Sequence, residues 1–333
     1  MLHAQRRSVR LSRLSRLSPL GLGCLALALT GCEAALNLDA VTLQSEQATQ
    51  RTDFYQAMAS NPHVTVLVGN QGVVLRSENN GEHWQRQQLP TDMSLIDLAV
   101  CPDGSFIALS FDNHIWHADA RAEGWQAHAL PSTEQMMTTR CAPDGSWWAA
   151  GAFSTLQNSS DQGLSWDELS LDEDAIFTTL QFINADQVVV SGEYGLRFTS
   201  EDGGQNWQSS HSLPDEFYPH ASYYSSLDTG WVGGLNGFIW HTEDGGATWT
   251  RQNTGTEAPI FGFIHGPQGL YAVGENATVL SLRGQRWEAL PTPDQPLYLR
   301  AGRLLPSQHL LAAGGRGLLL NIDLPKALAA STD

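Results

Sequence analysis

Four octads recur along the chain in one pattern: Ser77–Trp84 (SENNGEHW), Ser159–Trp166 (SSDQGLSW), Ser200–Trp207 (SEDGGQNW) and Thr242–Trp249 (TEDGGATW). Each begins with Ser or Thr, has Asp or Asn two residues on, Gly four on and Trp seven on. Trp84, Trp125, Trp166, Trp207, Trp249 and Trp287 lie 41, 41, 41, 42 and 38 residues apart, so degenerate octads at Trp125 and Trp287 keep the phase. A glycine pair precedes the octads at Gly69/Gly72, Gly192/Gly195 and Gly234/Gly237. It continues at Gly274/Ala277 and Gly314/Gly317, the last with no Trp after it. The phases count seven units. Within a unit, short alternating runs such as FTTLQFIN, QVVVSG, GLRFTS and WQSS read as four strands. A period near 40 with four strands per unit is the signature of a propeller blade, whose apolar faces are buried only by stacking on neighbours. The fold class is therefore all-β: a seven-bladed β-propeller with four-stranded blades.

The octad is the Asp-box, or bacterial neuraminidase repeat. Its physical reading is structural. An Asp two residues after Ser or Thr accepts backbone N–H bonds within a tight hairpin. Gly supplies positive φ, and Trp packs between blades. Asp161, Asp202 and Asp244 hold turns on this reading, with Trp166, Trp207 and Trp249 as the packing partners. Asn79, ahead of Trp84, does the same work without a charge. Identical acids on separate blades cannot converge on one substrate.

The seventh unit offers three strands, Tyr298–Leu304, His309–Ala313 and Leu318–Asp323. The run Leu36–Leu43 is extended and apolar enough to supply a fourth, so a ring closed by an N-terminal strand is expected. Upstream, residues 1–16 are basic and 19–30 apolar, too short a run to span a bilayer. It ends in Leu29-Thr30-Gly31-Cys32, a lipobox, which makes Cys32 the expected lipidation site; an ordinary signal peptide cut near Ala34 or Ala35 is the plainer alternative. The expected organisation is a lipoprotein signal peptide over 1–31, a lipid tether and ring-closing strand over 32–50, the propeller over 51–325 and a tail over 326–333. The expected location is extracytoplasmic, on a bacterial membrane. Cys101 and Cys141 occupy matching places in adjacent units. In an oxidising compartment they pair or stay as two buried thiols.

Charge narrows the partners. The formal net charge is −17, and the leader takes five Arg and no acid with it. The mature chain repels phosphate backbones, which argues against nucleic acid. No phosphate-cradling loop, metal-ligand spacing or nucleophile motif is present, and no cofactor or metal is expected.

In a propeller, the inter-blade loops and the turns between second and third strands share one face, and the box turns lie on the other. Every inter-blade loop carries acid: Asp92, Glu134, Asp172, Glu173, Asp174, Asp215, Glu216, Glu257 and Asp294. They read as a carboxylate ring that draws basic surfaces, or as ordinary solvated loop acids. The loop before blade five adds Phe217, Tyr218, His220, Tyr223 and Tyr224. Tyr218 is the expected exposed anchor, and Tyr223 or Tyr224 is expected to begin the inner strand. Arg316 falls on the same face; Arg283 and Arg286 fall near a box turn.

The segments GEYGLRFTSEDGGQNW and GWVGGLNGFIWHTEDGGATW resemble the photosystem II stability/assembly factor family over nearly the whole mature chain. The resemblance implies a noncatalytic seven-bladed propeller outside the cytoplasm that binds membrane subunits during complex assembly. The degenerate boxes and the missing Pro-Trp start fit a non-photosynthetic relative. The implied partner is a membrane protein or envelope complex, with the membrane reached through the lipid anchor. The second hypothesis is a sialidase-like glycan-active enzyme or glycan-binding propeller, which needs three convergent arginines and a Tyr/Glu pair.

Overall fold

A tight hairpin between two apolar strands makes antiparallel pairing the local solution, and each repeat takes it. In the computed structural model, which describes residues 37–210, 212–306 and 308–324, seven antiparallel sheets follow one another in chain order. Their inner strands are Tyr55–Ser60, Leu95–Val100, Met136–Cys141, Phe177–Phe182, Pro219–Tyr224, Ile260–Gly266 and Leu299–Leu305. Blades one to six have four strands. Blade seven, ending at Leu319–Asp323, has three. Tyr223 and Tyr224 end the inner strand of blade five rather than begin it, because Pro219 already pairs with Gly234.

The buried apolar residues fall into seven clusters, one for each junction between neighbouring blades. The phased tryptophans serve these junctions: Trp125 joins blades one and two, Trp166 blades two and three, Trp207 blades three and four, and Trp287 blades five and six. Removing a buried indole from such a junction costs roughly 3–5 kcal/mol. Cys101 and Cys141 form a disulfide with Cα atoms 5.0 Å apart, tying the inner strands of blades two and three.

The chain divides between Glu46 and Gln47. In the first part, the stretch expected as a ring-closing strand is instead a helix, α1 (Asp39–Ser45). The reason is local. Asn37 Oδ1 accepts the Asp39 N–H at 2.9 Å, Asp39 puts an acid in the first turn, and the Thr42 N–H reaches Leu38 O at 2.8 Å. In the second part, the ring closes through Asp53–Tyr55. Phe54 bridges Gly315, the Gly317 N–H donates to Asp53 O at 2.8 Å, and Tyr55 packs with Ala301 and Ala313 of blade seven. Asp53 is buried and takes a bidentate contact from Arg86 at 2.8 and 2.9 Å, with Tyr55 Oη donating at 3.0 Å. Cys32, the leader and the tail over 326–333 lie outside the described residues.

The glycine pairs have two separate causes. At the first glycine the backbone is extended, and a Cβ at Gly151, Gly192 or Gly274 would run into the carbonyl of Gln135, Ile176 or Pro259 just before the inner strand. The second position is left-handed, as at Gly195 and Gly237 (φ +69° and +65°). Blade three makes the same turn with Gly151 and Ser154 (φ 48°), a unit that glycine spacing alone misses.

Candidate functional site: the channel mouth

Each inner strand carries a register shift at its second residue, in all seven blades. A bulge re-aims the side chain of the extra residue. Here the seven bulged residues, Gln56, Ile96, Met137, Thr178, His220, Phe261 and Arg300, all line one cavity of about 330 Å³ on the ring axis. They sit at the inter-blade end of their strands and form the mouth of the channel.

The mouth is asymmetric. On one side Asp97 is fully engaged: Arg140 pairs with it at 2.6 Å, Thr138 Oγ1 donates at 2.6 Å and the Thr139 N–H at 3.0 Å. On the other side Arg300 is exposed and makes no hydrogen bond or ion pair with any described residue. Its charge is felt by Tyr218, His220 and Tyr298, which belong to an aromatic cluster at the mouth. His220 stacks on Phe261 with centroids 5.4 Å apart, Tyr218 meets His220 edge-on at 5.6 Å, and Phe261 meets Tyr298 at 6.2 Å. Gln56 Nε2 donates to the Tyr298 hydroxyl at 3.2 Å. Burial, then the Arg300 charge, hold the His220 imidazole below its usual range, so it is neutral at physiological pH. Burial also raises the Tyr218 and Tyr298 phenols, and both stay protonated. The result is one exposed, unpaired cation beside an aromatic cluster, suited to a carboxylate carried on an apolar segment.

The residues expected from sequence distribute around the same face. Asp92, Asp172, Glu173, Asp174, Asp215, Glu216, Glu257 and Asp294 are exposed in inter-blade loops, and Glu134 is half-buried beside Asn113. They belong to separate blades. Arg316 is exposed at the blade-seven turn (φ 56°). Tyr218 stands at the mouth, 36% exposed. The seven bulged residues differ in chemical type, so composition does not mark them.

The box acids stay on the opposite face and hold hairpins. Asp202 Oδ1 accepts the Asn206 N–H at 2.8 Å and Ser200 Oγ at 2.8 Å, while Oδ2 accepts Asn206 Nδ2 at 2.7 Å. Asp161 and Asp244 repeat the pattern with Ser165 and Thr248, and Asn79 accepts the His83 N–H at 2.9 Å. These bonds, led by the side-chain ones, lower Asp161 and Asp202 to about 2.

A closed seven-bladed ring with Asp-box hairpins on one face and an open, one-residue-per-blade mouth on the other defines an Asp-box propeller. The sequence model of photosynthesis system II assembly factor YCF48 matches residues 41–215 and 158–283, and the chain belongs to that family. Among solved structures, YCF48 bound to a D1 peptide is 16% identical with a TM-score of 0.69, covering 84% of this chain and 95% of its own. YCF48 from Cyanidioschyzon merolae is 12% identical with a TM-score of 0.68, covering 82% and 96%. Virginiamycin B lyase from Staphylococcus aureus is 13% identical with a TM-score of 0.72, covering 84% and 97%. At these identities the likeness is one of fold. Comparison with curated protein sequences gives no match.

Proposed function

We propose that this chain is a noncatalytic, lipid-anchored envelope protein that binds a segment of a membrane protein and supports assembly or stability of its complex. The observation that carries the reading is Arg300, unpaired among the described residues beside the aromatic cluster of the mouth, in a chain of the YCF48 family. YCF48 with a D1 peptide bound supports a peptide as the ligand type. Of the two arginines lining the cavity, Arg140 is already paired with Asp97. That leaves one free cation, where a sialidase clamp needs three. The lipobox at Cys32 supports anchoring, so the partner lies at the membrane surface.

The test is affinity capture from solubilised membranes, followed by binding of a peptide matching the captured protein's C-terminus, as free acid and as amide. Charge-assisted bonds to a carboxylate contribute about 1.5–3 kcal/mol. The free acid is expected to bind roughly ten- to hundredfold more tightly than the amide, and Arg300→Ala removes the difference. Equal binding of the two peptides, or a variant that keeps the preference, defeats the reading.

A further inference from the structure

The turns between second and third strands all hold a non-glycine residue in the left-handed region; in blade two it is Asn113 (φ 57°). Blades one, five, six and seven place Gln71, Asn236, Asn276 and Arg316 there (φ 52°, 56°, 56°, 56°). Asn is the non-glycine residue that accepts this conformation most readily. Blades three and four break the pattern with Phe153 (φ 52°, ψ 39°) and Tyr194 (φ 57°, ψ 21°). A ring at such a site is strained, and it is not there for packing: Phe153 is 55% exposed and Tyr194 56%. Their neighbours in ring order extend the surface, since Phe111 of blade two and Leu235 of blade five are 50% and 49% exposed in the corresponding turns.

The loops around these rings are acidic. The Glu173 N–H donates to Ser154 Oγ at 2.9 Å and the Ser154 N–H to Ala175 O at 2.8 Å, which sets Asp172, Glu173 and Asp174 beside Phe153. The Leu213 N–H donates to Gly195 O at 2.9 Å, which brings the Asp215 and Glu216 turn beside Tyr194. No Arg or Lys occurs in the inter-blade loops or the second-to-third-strand turns of blades two to five. A hydrophobic arc set among uncompensated carboxylates calls for a partner carrying both apolar and positive groups.

We propose that this arc over blades two to five docks a cationic amphipathic segment of a partner protein, one that alternates Lys or Arg with aliphatic side chains. The proposal rests on the protein-binding reading above but uses residues separate from Arg300.

The probe is a fluorescent Lys/Leu-alternating peptide with an amidated C-terminus, compared with a Glu/Leu peptide of equal length. The Lys/Leu peptide is expected to bind, more weakly as salt rises. Phe153→Asn/Tyr194→Asn is expected to weaken that binding at least tenfold while Tm stays level or rises, because Asn relieves the left-handed strain. Asp172→Asn/Glu173→Gln/Asp174→Asn is expected to weaken it and flatten the salt dependence. Equal binding of the Glu/Leu peptide, or unchanged affinity in both variants, overturns the proposal. Arg300→Ala is expected to leave this affinity unchanged, so carboxylate capture at the mouth and docking on the arc fail or survive separately.

Discussion

Single side chains set the pH response of this propeller, and two populations act in opposite senses of charge. Asp161 and Asp202 titrate near 2 in the folded chain, and Asp244 is also lowered, because hairpin donors favour the carboxylate. Their contribution is complete above the ordinary carboxylate range near 4 and is lost as pH falls toward 2. His117 and His241 are lowered chiefly by burial, His241 lying flat on Trp231 at 4.6 Å. Their neutral forms contribute fully above about 6.5, and that contribution falls once the unfolded chain gains protons the folded one refuses. Thermal melts from pH 8 to 2.5 should therefore show two losses. Asp202→Asn should shrink only the acid one and His241→Gln only the near-neutral one; a single step unaffected by either would contradict this. Asn79 already fills the same role in blade one, so Asp202→Asn is expected to fold.

At the scale of elements, the disulfide and the hairpins do different work. The Cys101–Cys141 bond closes a loop with sequence separation 40 between two adjacent inner strands. In the chain-entropy picture, removing it with Cys101→Ser/Cys141→Ser costs about 2–4 kcal/mol. Denaturant melts of oxidised wild type and the double variant should differ by that amount, and coincident curves would refute it. Hairpins and blades were legible in the octads because their chemistry is local: a hydroxyl, a carboxylate and a glycine within five residues. The helix at Asp39–Ser45 was not legible as one, because its short apolar run fits a strand equally well and the Asn37 cap decides. The mouth was less legible still. A bulge leaves no compositional mark, and only alignment of the glycine pairs across repeats brings Gln56 through Arg300 into a common position.

For the whole molecule, the ring has no first or last repeat: the same kind of apolar cluster that joins blades one and two joins blades seven and one. A chain ended at residue 291 would lack blade seven and lay open the faces of blades six and one together. Such a truncation is expected to be insoluble or unfolded, without a native-like melt; a soluble six-blade form with a cooperative transition would show that closure is dispensable. The blade number was readable from tryptophan and glycine phases, since stacking demands equal units. The closing contact was not, because Phe54 and Gly315 meet through a single backbone bridge that no pattern announces.

The bulged positions carry one more consequence. Of the seven, only Ile96 packs against an inter-blade cluster, so the others stand apart from the apolar junctions that hold the frame. On the proposed reading, what the protein greets is written in a short alphabet of its own, separate from the text that folds it. Solved propellers only 12–16% identical to this chain keep the same frame over most of their length.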